Sequence, residues 1–175
     1  NKAASDLPKS IFEKAVAVQD ARHKALLSNQ SGNENPYLIH QELGDTMTRA
    51  ATVVRENAQL DEAYAKVLDL QSRSKQCSLS DTGSWTNQNV IFTKAVQDMF
   101  PVALSILKGA RMRDESRGAH YKPAFSPPSL KATEPAERLK EAEAWCDDFE
   151  TNNKKFLNST ICTWDGTEPV HAFEP

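Results

Sequence analysis

Residues 111–122 hold the densest set of side chains able to do chemistry. Arg111, Arg113, Arg117 and Lys122 stand there beside two acids, Asp114 and Glu115, and beside His120. Guanidinium forks grip carboxylates and phosphates through paired hydrogen bonds. One reading is therefore an anion clamp. The other is an ion network, in which Asp114 and Glu115 neutralise the arginines and Arg117 satisfies carbonyls left open where a helix ends. The alternation of acids and bases favours the network. On either reading Arg113, Glu115, Ser116, Arg117 and His120 are the candidate residues for domain docking or anion contact.

Other chemistry finds little support. His23, His40, His120 and His171 fall on four separate predicted elements without paired-ligand spacing, which suits surface or capping roles better than a metal site. Cys77, Cys146 and Cys162 are odd in number and contain no Cys-x-x-Cys pair, so they are expected to be reduced thiols. Neither a glycine-rich phosphate loop nor a Gly-x-Ser-x-Gly elbow occurs. No catalytic residue and no bound cofactor are expected in these residues.

The chain has 175 residues, 39% of them hydrophobic and 26% charged, enough for one ordinary folded domain. A net charge of −3 and a pI of about 5.8 argue against nucleic acid as the main partner. No apolar run is expected to reach the length of a bilayer span. The opening Asn1-Lys2-Ala3 carries neither an initiator methionine nor a leader, and reads as part of a longer protein.

The elements that must position the charged loop are helical. A first helix is expected over residues 8–27, capped by Ser5 or Asp6, with Ile11, Phe12, Ala15, Val16 and Leu26 on its apolar side. A second begins near Pro36 and carries Ile39, Leu43, Met47, Ala50 and Val54 as one stripe. Asn57 marks a break or cap before a third helix with Leu60, Ala63, Tyr64, Val67 and Leu68. A polar loop spans residues 72–84. The longest helix then repeats Phe92, Val96, Met99, Ala103, Ile106 and Ala110, and Pro101 is expected to kink it. Trp85 and Met99 are expected in or near the core. Pro123, Pro127 and Pro128 make an extended link. A fifth helix over residues 135–153 should bury Leu139, Ala142, Cys146 and Phe149, with the acids of residues 134–150 on its solvated face. Thr160–Trp164 and Val170–Phe173 flank Asp165-Gly166 as a hairpin. The predicted fold class is mainly α: a bundle of about five helices with a small C-terminal β-hairpin.

The motifs carry a family resemblance. Glu115-Ser116-Arg117-Gly118-Ala119-His120 resembles the Glu-Ser-Arg-Gly-Ala-His signature of the C-terminal domain of succinate dehydrogenase and fumarate reductase flavoproteins. Asn35 to Thr48, followed by Thr52-Val53-Val54-Arg55, resembles the segment that opens that domain. Trp85, Asn87, Gln88 and Phe92 resemble the entry to its long helix. Phe156-Leu157-Asn158-Ser159-Thr160 is similar to its Phe-Leu-Lys-x-Thr stretch, with asparagine in place of lysine. Residues 126–155 depart from the pattern, being longer and more polar.

The resemblance implies three parts: residues 1–30 as a helix leaving a flavin-binding region, 31–157 as the helical domain, and 158–175 as the hairpin tail. It implies a parent flavoprotein in the tricarboxylic acid cycle and electron transport, in which covalently held FAD exchanges a hydride with succinate or fumarate. Implied partners are the flavin-binding domain of the same chain, an iron–sulfur subunit and a membrane anchor, on the cytoplasmic, inner face of a membrane. On this view the residue 111–122 cluster could touch the flavin or dicarboxylate region, with Arg117 and His120 tying the helix exit to the flavin domain. The alternatives are the same domain in a soluble L-aspartate oxidase-like enzyme, or a stand-alone helical interaction module.

Overall fold

The computed structural model describes residues 3, 6–127 and 129–174. Five α-helices precede a two-stranded antiparallel sheet: α1 (Lys9–Ser28), α2 (Pro36–Ala51), α3 (Asn57–Ser74), α4 (Gln88–Met112), α5 (Pro135–Phe156), β1 (Ser159–Trp164) and β2 (Pro169–Glu174). The mainly α class and the C-terminal hairpin are as the sequence predicts. Two compact units divide the chain. Unit 1 is Asn1–Glu42 with Leu70–Asp98; unit 2 is Leu43–Asp69 with Met99–Pro175.

In unit 1, Leu26 of α1, Leu79 and Val90 form a buried cluster with Leu27 against it. Apart from Leu26, the expected apolar side of α1 does not enter a core: Ile11, Phe12 and Val16 are exposed. The helix opens after Pro8 with no side-chain cap. Asp6 instead accepts from the Ala3 amide, closing a turn before the helix. Ser5, the alternative cap, lies outside the described residues. Arg22 ties α1 to α4 through the Lys94 carbonyl at 3.0 Å and the Asp98 carboxylate at 2.8 Å. Asparagines open two helices: Asn35 Oδ1 accepts from the Tyr37 amide, and Asn87 Oδ1 from the Val90 amide. Each satisfies a first-turn donor that would otherwise lack a partner.

Unit 2 is built on buried Leu43, Thr46 and Ala50 of α2, Leu60, Ala63 and Val67 of α3, and Phe100, Ala103, Leu104, Leu107 and Ala110 of α4. The α4 register differs in part from expectation. Val96, Ala103 and Ala110 are buried as expected, but Met99 and Ile106 are exposed, while Phe100, Leu104 and Leu107 are buried, so the inward face is only partly the expected stripe. In α3, Leu68 faces out. Val54 lies beyond the end of α2 and is exposed. By length and composition α4 reaches what a bilayer span requires, its best window averaging a hydropathy of 1.5. That corrects the sequence expectation. Buried residues of α4 belong to both units, Val90 and Val96 to the first and Phe100, Leu104 and Leu107 to the second, while Ile91, Met99, Val102 and Ile106 are exposed.

Helix α5 also departs from expectation. Leu139 is 59% exposed, Phe149 and Cys146 face solvent, and only Phe156 at its end is buried. The helical period is real, but unit 2 does not cover that face. Trp85, expected near the core, is 86% exposed in the loop before α4. Of the proline link, Pro123 starts a 3-10 turn (Pro123–Phe125), whereas Pro128 lies outside the described residues.

Strands β1 and β2 pair from Ser159 opposite Glu174 to Trp164 opposite Pro169. Their turn is organised by Asp165, whose Oδ1 accepts from the amides of Thr167 and Glu168 and from the Thr167 hydroxyl. Gly166 takes a φ of 110°, a conformation costly for residues with a Cβ. Phe173 meets Phe156 edge-on at 5.9 Å, and Lys108 of α4 pairs with Glu168 at 2.9 Å.

Candidate functional site

The charged loop leaves α4 at Met112, and all five candidate residues fall within it, in unit 2. Its shape comes from backbone first. Arg117 and His120 exchange amide–carbonyl bonds of 2.8 and 3.0 Å around Gly118, whose φ is +56°. Arg55 and Tyr121 extend this through a bridge to the segment after α2: the Arg55 amide donates to the Tyr121 carbonyl at 2.8 Å, and the Tyr121 amide to that of Val53 at 3.1 Å. The Ser116 hydroxyl accepts from the Lys122 amide and donates to the Lys122 carbonyl, closing the loop at its base.

Inside this frame lies Glu115, 4% exposed. Its Oε1 accepts from Arg113 Nε at 2.8 Å and also from Nη2; its Oε2 accepts from Arg117 Nε at 3.0 Å. A carboxylate removed from water needs such compensation. The other donors of Arg113 reach the Phe156 carbonyl, the Asn158 carbonyl and Thr160 Oγ1, and its guanidinium lies over the rings of Phe156 and Phe173. Every nitrogen of Arg113 is thus engaged, locking the end of α5 and β1 to the loop. Arg117 also donates to Asn153 Oδ1, yet its side chain remains 43% exposed.

Lys122 is buried to 1% exposure. Its Nζ donates to Asp114 Oδ1 at 3.0 Å and to the Arg111 carbonyl at 3.3 Å. Burial pushes its pKa down, and the Asp114 carboxylate opposes the shift. For Asp114 burial acts upward, but hydrogen bonds from Asn57 and Lys122 outweigh it and hold the carboxyl below its usual range. The carbonyls at the exit of α4 are therefore satisfied by Lys122, at Arg111, and by His120, at Arg113, rather than by Arg117. Arg117 is the shorter reach in sequence, but Glu115 claims its Nε.

The tautomer of His120 follows from its partners. Arg55 Nη1 lies 2.7 Å from Nδ1 and can only donate, so Nδ1 is the acceptor. Nε2, at 2.9 Å from the Arg113 carbonyl, then carries the hydrogen. The ring is neutral. Burial lowers its pKa most, and the nearby charges of Arg55 and Lys122 push the same way, against the Arg113 carbonyl and Glu115.

The structure thus joins Arg113, Glu115 and Arg117 in one ion network, with Ser116 fixing backbone beside it and His120 bridging Arg113 to Arg55. Sequence reading missed Arg55 as the histidine's partner, and missed Asn57, Asn152 and Asn153. Arg55 is separated from His120 by 65 positions and Arg117 from Asn153 by 36, and no local spacing links such pairs. Of the histidines, His23 and His171 are half-buried on α1 and β2, and His40 is exposed on α2. Among the described residues no group of three His, Cys, Asp or Glu side chains is placed to hold a metal ion.

The described residues do not form a glycine-rich dinucleotide cradle for FAD. A dinucleotide cradle of the common kind sets a glycine-rich turn between a parallel strand and a helix. The sheet among the described residues is the antiparallel β1–β2 pair, and no two of the six glycines lie within a Gly-x-Gly-x-x-Gly spacing.

Comparison with known proteins gives the arrangement its context. Residues 40–174 match the family described as fumarate reductase flavoprotein C-term. The succinate dehydrogenase flavoprotein subunit of Bacillus subtilis is 39% identical over 123 residues, which cover 70% of this chain and 21% of that protein. The fumarate reductase flavoprotein subunit of Haemophilus influenzae is 36% identical over 107 residues, 61% of this chain and 17% of its own length. The chain therefore spans about a fifth of the length of these relatives. An Escherichia coli quinol fumarate reductase structure shares the fold at a TM-score of 0.72 and 23% identity, covering 96% of this chain and 25% of its own. Through the match over residues 40–174, this chain belongs to the family of C-terminal domains of succinate dehydrogenase and fumarate reductase flavoproteins.

Proposed function

We propose that this chain is the helical support domain of a flavoprotein that interconverts succinate and fumarate using FAD and passes electrons to an iron–sulfur subunit. The observation that carries the reading is the 39% identity to a succinate dehydrogenase flavoprotein subunit across 70% of this chain. The two-electron chemistry belongs to residues outside these 175, and the chain alone is inactive. Residues 1–30 lead in from the flavin-binding region, 31–157 form the supporting domain and 158–175 its hairpin tail. The parent works on the cytoplasmic side of a membrane, held there through an anchor subunit.

The loop of residues 111–122 supplies the docking element. Its buried network holds the backbone rigid, and the part of Arg117 left exposed faces the flavin-binding domain with a cation. His120 contributes by fixing Arg55 and the Arg113 carbonyl behind it.

Two measurements on the complete protein test this. Succinate should reduce an artificial dye acceptor in the presence of purified parent enzyme, with flavin in the protein; absence of both would remove the enzymatic reading. Arg117→Ala should lower flavin retention, with dye reduction falling in proportion to flavin. Unchanged flavin content and activity would sink the docking role while leaving the family assignment intact.

A further inference from the structure

Unit 2 has an aromatic cavity that the docking role does not use. It measures about 370 Å³ and lies between the 3-10 turn and α5, lined chiefly by Phe125, Ser126, Trp145, Asp148, Phe149 and Asn152. Trp145 and Phe149 stand one helical turn apart, their rings stacked 5.2 Å centre to centre. Phe125 enters from the opposite wall. Its ring already meets one cation, Lys122 Nζ at 5.9 Å from the centroid. Asp148 brings a carboxylate to the same cavity and makes no ion pair among the described residues. Along α5 the acids Glu137, Glu141, Glu143, Asp147, Asp148 and Glu150 outnumber the bases Arg138, Lys140, Lys154 and Lys155.

These features select for positive charge of a particular kind. Aromatic faces carry negative quadrupoles and attract cations whose water is loosely held. A neutral apolar guest would gain from the rings and nothing from Asp148. A small inorganic cation would gain from Asp148 but pay heavily to leave water for three rings. We propose that this cavity binds a compact organic cation, an alkylammonium or guanidinium head group, with the rings of Phe125, Trp145 and Phe149 around it and Asp148 as its counter-ion. The cavity volume suits a head group rather than an extended ligand.

The test is a titration of the 175-residue chain with choline, read at the indole N–H of Trp145 and at the amides of Asp148 and Phe149 by NMR. The control is 3,3-dimethyl-1-butanol, which has the shape of choline without its charge. Choline should saturate, and the neutral isostere should bind about ten-fold more weakly. Asp148→Asn should weaken choline several-fold, Trp145→Leu should abolish saturation, and Trp145→Phe should restore most of it, separating ring loss from misfolding. A blocked Ala-Arg-Ala tripeptide distinguishes sources: tighter binding than choline assigns the cation to a polypeptide side chain, weaker binding to a free small molecule. Equal affinity for choline and the isostere, or shifts that stay linear with concentration, would overturn the proposal.

Discussion

Two charge clusters in this chain invert one another. In unit 1 a single cation, Arg73, is held by two carboxylates, its Nε and Nη2 donating to Glu34 and its Nη1 and Nη2 to Glu42. In unit 2 a single anion, Glu115, is held by two cations, Arg113 and Arg117. Distances in the two are alike; burial is not. The Arg73 side chain is 30% exposed, whereas Glu115 lies out of water. Water can replace what Arg73 loses but cannot reach Glu115. The comparison teaches that geometry alone does not rank ion pairs. What decides is which partner would be stranded without solvent.

Removing the stranded partner should therefore matter most. Glu115→Ala leaves two guanidiniums facing each other beneath the loop and should cost unit 2 about 3 kcal/mol, the low end for a broken buried pair because Arg117 retains solvent. Urea unfolding followed at unit 2 amide resonances measures it. A loss below about 1 kcal/mol would put Glu115 in the same class as the exposed cluster.

Gly32→Ala probes how the unit 1 cluster is positioned. A Cβ there would stand 2.1 Å from the Gln76 carbonyl oxygen, which is the acceptor for the Glu34 amide. Backbone must shift, so a loss of about 2 kcal/mol is expected at unit 1 resonances. A variant of unchanged stability would mean that the loop has slack the close approach conceals.

Arg73→Met should cost about 1 kcal/mol at low ionic strength, and the loss should shrink as salt screens the two remaining carboxylates. The burial of Glu115 predicts the opposite there: the cost of Glu115→Ala should change little with salt. Equal salt dependence in the two variants would erase the distinction between the clusters.

The smallest effect concerns protons. The pKa of His120 is lowered in the folded chain, chiefly by burial, so the unfolded chain takes up its proton first as pH falls. The stabilisation is present above the ordinary histidine value near 6.5 and is lost as pH drops from there towards the folded value. Asp114, lowered from 3.8, keeps its contribution until more acid conditions. Between pH 7.5 and 5, His120→Gln should therefore flatten the decline in unit 2 stability. An unaltered slope would mean that the ring titrates alike in both states.

How much of this was legible in sequence differs by element. The spacing of Ile39, Leu43 and Ala50 found the buried side of α2, because polar residues on the other faces leave one register open. Helix α4 is apolar over most of its circumference, so a stripe through Met99 and Ile106 and one through Phe100, Leu104 and Leu107 fit the same period. Only packing chooses between them. The period of Leu139, Ala142, Cys146 and Phe149 correctly marked a helix, but amphipathicity says that a face is apolar, not that this chain covers it. In the charged loop, the paired roles of Glu115 and the arginines could be read from their alternation. Arg55 and Asn153 could not, since the contacts that recruit them exist only after distant segments meet.

The hairpin shows what such distant contacts do over time. Two isolated strands are marginal in water, yet β1 is held by Arg113 through Thr160, β2 by the Phe156 ring through Phe173, and their turn by Lys108 through Glu168. Its amides should consequently not flicker open strand by strand. In hydrogen exchange they should share one opening rate with the loop of residues 111–122, so that the tail and the exit of α4 behave as a single cooperative foldon.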